Sequence, residues 1–117
     1  MKKNAKRTPN RKASPISKAR LEALIAEAVV DAYNESEQTV GFLTMIEENL
    51  RMPFDTVVLG VMVTVERIDM TLEGEIFAAS RRGSLRQRIS LLDLPLPSPP
   101  PVGSEWIEAY RYWKRGM

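Results

Sequence analysis

The sequence predicts an α+β fold: two N-terminal helices, a small four-stranded antiparallel sheet or barrel-like meander, a Pro-rich connection and a C-terminal helix. Three observations carry it. Apolar residues recur at helical spacing from Leu21 onward. The middle of the chain changes to a period of two, with Val61, Val63 and Val65 alternating with Met62, Thr64 and Glu66. Five prolines then crowd into residues 93–103, ahead of an aromatic segment that returns to helical spacing.

Each element follows from local chemistry. Residues 1–15 have no hydrophobic period and are rich in Lys, Arg, Asn, Ser and Pro. We read 1–16 as a disordered basic tail and 17–117 as a single domain. Ser14-Pro15 or Ser17 is the expected helix start. Leu21, Leu24, Ile25, Ala28, Val29, Ala32 and Tyr33 form one amphipathic stripe. Asn34 to Thr39 is polar and is expected to bend. Phe42, Leu43, Ile46 and Leu50 mark a second helix, stopped by Pro53.

Thr56 to Leu59 is a short β-branched run, and Gly60 is expected to break or kink it. Residues 61–66 are the second strand and Asp69 to Gly74 a loop. Glu75 to Ser80 and Leu85 to Ile89 are the last two strands, joined by a tight turn at Arg81-Arg82-Gly83-Ser84. The Pro-rich stretch should lie across the body as a stiff connection. Gly103-Ser104 precedes a last helix with Trp106, Ile107, Tyr110 and Trp113 on its apolar side. Both tryptophans of the chain lie there, so this helix is expected to be docked, chiefly as core.

Length and composition exclude several function classes. The 117 residues suit one modest core. With no Cys and no His, disulfides and thiolate sites are excluded, and zinc is disfavoured. A triad with a histidine base is excluded too. There is no phosphate-binding Gly-rich loop and no nucleophile elbow, so a non-enzyme is expected. No apolar run is long enough to span a bilayer, and no h-region follows the basic start. A cytoplasmic location is therefore expected.

The net charge of +2 conceals a division. Residues 1–20 hold eight Lys and Arg and no acid, whereas the rest holds nine basic and fifteen acidic side chains. Seven acids fall between Leu21 and Leu50 with no Lys or Arg among them: Glu22, Glu27, Asp31, Glu35, Glu37, Glu47 and Glu48. A helix face of one sign repels itself and calls for a cation or a basic partner. Asp31 and Glu35 are four apart and would share a helix face, with Glu37 brought toward them by the bend. Such an oxygen-only set suits a hard divalent ion, though an acidic face can also be merely solvated. Asp69, Glu73 and Glu75 around Gly74 form a secondary set, with ordinary turn chemistry as the alternative. The basic tail is a candidate contact for nucleic acid or another anionic partner. Arg81, Arg82, Arg86 and Arg88 either extend that basic surface or pair with Glu66, Glu73 or Glu75.

Several segments in order resemble the cyanobacterial calcium-binding protein family, a CcbP-like group of small bacterial proteins. They are Asp31-Ala32-Tyr33-Asn34-Glu35-Ser36-Glu37-Gln38, Gly41-Phe42, Pro53-Phe54, Val58-Leu59-Gly60 with Val63-Thr64-Val65, and Leu94 to Pro97. The segment Glu105 to Trp113, followed by Arg115-Gly116, is the most distinctive. The resemblance covers about residues 20–116. It implies an α+β fold and Ca²⁺ binding by carboxylates without EF-hands, with Asp31, Glu35 and Glu37 as candidate ligands. The expected function is that of a calcium buffer or sensor. The alternative is an interaction or nucleic-acid-associated protein acting through its basic arm. The oligomeric state is not legible.

Overall fold

A computed structural model describes residues 16–116. The reading of residues 1–15 as a basic arm lies outside the described residues. Ile16 is half-buried and packs against the core.

Helix α1 (Lys18–Ala28) begins at Ser17, whose hydroxyl accepts the Arg20 N–H at 3.1 Å. Leu21, Leu24, Ile25 and Ala28 are buried, as the stripe requires. The helix ends five residues sooner than the stripe suggests. Val29 closes it, and Asp31 sits in the left-handed region at φ 63°. Tyr33 is 89% exposed.

Helix α2 (Glu35–Asn49) starts where a bend was expected. Phe42 and Ile46 are fully buried on its inner side. The two helices meet at Gly41, where a Cβ would lie 2.1 Å from the Ala28 carbonyl oxygen. Only a residue without a side chain permits that approach. Ala28 is both the contact residue and the last residue of α1, so the stripe's last residues fall in the connection.

The sheet is a meander of four antiparallel strands in chain order: β1 (Phe54–Val58), β2 (Val61–Met70), β3 (Ile76–Arg82) and β4 (Leu85–Ser90). It is open, with β1 and β4 at its edges. Val58 pairs with Val61, so Leu59-Gly60 is a two-residue hairpin turn and not a break within a strand. Both residues have positive φ, 51° and 79°, as a type I′ turn demands. Strand β2 runs to Met70, which places Asp69 on a strand; the connection to β3 is only residues 71–75. A bulge between Val65 and Arg67 shifts the register against β3.

Val63, Val65, Ile68, Ile76 and Ala78 are buried, and all but Val63 join the core shared with the helices. The Pro-rich connection wraps the body with no regular element. Thr56 Oγ1 donates to the Pro95 carbonyl at 2.6 Å, and Arg111 donates to the carbonyls of Leu91 and Leu94. Gly103, at φ 91°, lies so close to Asn49 that a Cβ would come 2.0 Å from its carbonyl oxygen. Helix α3 (Glu105–Lys114) follows, packed on α1 and α2. Trp106, Ile107, Ala109 and Tyr110 are buried, and Trp113 is partly so. Phe42 stacks edge-on to Tyr110 at 5.6 Å and lies 4.9 Å from Trp113, which ties the last helix to α2.

Candidate metal site

The principal acids are divided between the α1–α2 connection and the start of α2 and do not share one helix face. Asp31 lies between the helices, and Glu35 and Glu37 are in the first turn of α2. The turn has a specific origin. Asn34 Oδ1 accepts the Glu37 N–H at 2.8 Å, and Glu37 Oε1 accepts the Tyr33 N–H at 2.6 Å. This reciprocal cap satisfies donors that a helix start leaves open. The Asn34-x-x-Glu37 spacing ahead of Phe42 was the sequence signal for it. Both acids also complement the positive end of the helix dipole.

Glu35 points toward the last helix. Its Oε2 stands 3.4 Å from Lys114 Nζ, and both residues border a shallow cleft of about 330 Å³ with Gln38 and Trp113. Lys114 is the residue that sequence reasoning missed here, and Tyr110 was read only as core. Both lie more than 70 positions from Glu35 along the chain, and no local pattern links them to it. Tyr110 is fully buried, and its hydroxyl has no hydrogen-bond partner. Burial pushes its pKa up, and the charges of Glu75 and Glu35 push the same way. The Ile76 amide opposes that shift but does not meet hydrogen-bond geometry. Glu35 and Glu75, placed in separate sets by the sequence, thus act on one buried hydroxyl.

The secondary set does not converge. Asp69 Oδ2 pairs with Arg67 at 2.6 Å and Oδ1 accepts the Met70 N–H at 2.8 Å. The Met70 amide, then Arg67, hold its carboxyl below the usual range. Glu73 is exposed on the turn, and the Glu75 N–H donates to Thr71 Oγ1 at 3.1 Å. Among the four hairpin arginines, Arg81 pairs with Glu66 at 3.0 Å.

The donor chemistry at the α1–α2 connection fits a hard cation: carboxylates, with nearby backbone carbonyls and no sulfur or imidazole. All seven acids between Leu21 and Leu50 are exposed. Their arrangement is not that of an assembled cage. Among the described residues, no three acidic side chains stand close enough together to hold an ion.

A family model described as calcium binding, that of CcbP, matches residues 22–114. The chain belongs to the CcbP calcium-binding family. Ca²⁺ is the ion of that family. No curated protein matches the chain. Among solved structures, a calcium-binding protein in its calcium-binding form is similar at 18% identity and a TM-score of 0.66, over 86% of this chain and 94% of that one. Anabaena CcbP is similar at 19% identity and a TM-score of 0.64, over 87% and 94%. At these identities the structures show a shared fold. The α+β architecture expected of the family is the one observed. No described helix is long and apolar enough to cross a membrane.

Proposed function

We propose that this protein binds Ca²⁺ as a non-enzymatic cytoplasmic buffer or sensor, with Asp31, Glu35 and Glu37 as its carboxylate donors. The match to the calcium-binding family over residues 22–114 carries the reading. The chemistry of the α1–α2 connection supports it. Asp31 is held at positive φ outside both helices and is exposed. Glu37 uses Oε1 as a cap and keeps Oε2 for a further partner. Glu35 would exchange the Lys114 ammonium for the ion.

Binding would relieve the repulsion of a segment that holds seven acids and no Lys or Arg. It would therefore stabilise the fold by linkage. Because α1, α2 and α3 all meet beside this connection, a change in Glu35 would reach the last helix through Lys114.

The test is calorimetric titration of the chelator-stripped protein with Ca²⁺, with Mg²⁺ as control. Saturable binding that Mg²⁺ does not reproduce, weakened by Asp31→Asn with Glu35→Gln, is the expected outcome. Unchanged affinity in that double variant would move the site elsewhere. No heat and no rise in melting temperature would remove the function.

A further inference from the structure

The sheet carries a second feature that calcium binding leaves unused. Pairing of Val58 with Val61, of Thr64 with Arg81 and of Arg82 with Leu85 brings the β1–β2 and β3–β4 turns to the same end of the sheet. Residues 81–88 are all exposed, so the second hairpin projects beyond the helical layer.

This end is costly for the fold alone. Leu59 occupies the first position of the type I′ turn at φ 51°, where Asn, Asp or Gly is favoured. Its side chain is 97% exposed. Val57 and Met62 are direct cross-strand partners and are exposed, as is Leu85 on the neighbouring hairpin. Arg81 and Arg86 face each other across β3 and β4, a like-charge pair that weakens a sheet. Glu66 neutralises Arg81, whereas Arg82 and Arg86 have no ion pair among the described residues. Arg88 lies 4.6 Å over the Phe77 ring. Three arginines, Arg67, Arg86 and Arg88, border a cleft of about 260 Å³ together with Phe77 and one acid, Glu66, which is paired with Arg81.

We propose that the sheet end formed by the Leu59-Gly60 and Gly83-Ser84 turns docks on an anionic lipid surface. The pattern is an exposed apolar turn tip beside a basic hairpin at the same end of the sheet. A nucleic acid would reward the guanidinium groups but not Leu59. A folded protein partner needs about 800 Å² on each side with packed pockets, whereas Leu59 stands almost fully exposed at a turn. A lipid interface accepts both parts: aliphatic side chains enter the headgroup boundary, and arginines gain from the negative surface potential. The proposal does not rest on calcium binding.

The experiment is sedimentation of the full chain with phosphatidylcholine vesicles, with and without phosphatidylserine, in the presence of chelator. Binding only to the anionic vesicles, weakened by salt, is expected. Leu59→Asn should reduce affinity about tenfold while leaving the melting temperature equal or higher, since Asn suits the turn. Arg82→Gln with Arg86→Gln should cost about fivefold for each residue. Equal binding to neutral vesicles, no binding, or wild-type affinity in both variants would each overturn the proposal. Preference for single-stranded RNA or an acidic peptide without vesicle binding would overturn it as well. None of these results bears on the Ca²⁺ titration.

Discussion

Lys114, in the last turn of α3, holds its ammonium 3.4 Å from the Glu35 carboxylate in the first turn of α2. The pair crosses 79 positions of the chain and occupies one of the candidate calcium ligands. Glu35 is largely exposed, so the pair itself adds little to stability. Its consequence is competition: an ion at Glu35 must displace a cation already there. Lys114→Met should therefore tighten Ca²⁺ binding about fivefold, with little change in melting temperature. Calorimetry on the variant checks this, and unchanged affinity would remove Glu35 from the ligand set.

The cap at the start of α2 separates structure from binding. Asn34→Ala removes the acceptor of the Glu37 N–H and should cost about 1 kcal/mol of stability. Glu37→Gln keeps an amide oxygen that can accept the Tyr33 N–H, so its stability loss should be well below that of Asn34→Ala. It removes the charge, however, and Ca²⁺ affinity should fall severalfold. Urea unfolding and titration of both variants provide the comparison. Equal Ca²⁺ affinity in Glu37→Gln and wild type would confine Glu37 to capping.

Gly41 is the tightest point between α1 and α2. Gly41→Ala would set a methyl group against the Ala28 carbonyl, with backbone on both sides and nothing flexible to yield. A loss of about 1–3 kcal/mol is expected, despite alanine's better helix propensity. A raised melting temperature would show that the helices can separate without cost.

Tyr110 buries a hydroxyl without a partner. Tyr110→Phe should be neutral or stabilising by about 1 kcal/mol. Burial raises the pKa of the folded tyrosine above its ordinary value of 10.0. The unfolded chain therefore ionises first, and stability present below pH 10 is lost as pH rises toward the folded pKa. Tyr110→Phe should flatten that alkaline decline. Thermal melts between neutral and alkaline pH test it, and parallel curves for both proteins would contradict it.

Much of the fold was legible. The stripe from Leu21 to Ala28, the Val61–Val65 alternation and the aromatic spacing of α3 are local periods, and each formed the expected element. The errors fell at Val29 to Thr39, at Leu59-Gly60 and at Asp69-Met70, at or beside the chain's reversals. A stripe carries no mark of the crossing at which a helix must stop. The i,i+4 argument that put Asp31 and Glu35 on one face assumed an unbroken helix. The Asn34-x-x-Glu37 spacing marks the start of α2, but the polar run from Asn34 to Thr39 reads equally as a bend.

By itself the sequence determined the elements, the charge division and the oxygen-only donor chemistry, because these depend on residue type and near-neighbour spacing. Family membership was also written in ordered local segments. The tertiary structure decided which charges meet. Lys114 reaches Glu35, Glu75 acts on the same buried hydroxyl as Glu35, and Asp69 is taken by Arg67. It also brought two hairpin turns to one end of the sheet, so that Leu59 and the Arg82 hairpin share that end. Contacts across dozens of residues arise from helix docking and strand register, which no short window of sequence encodes.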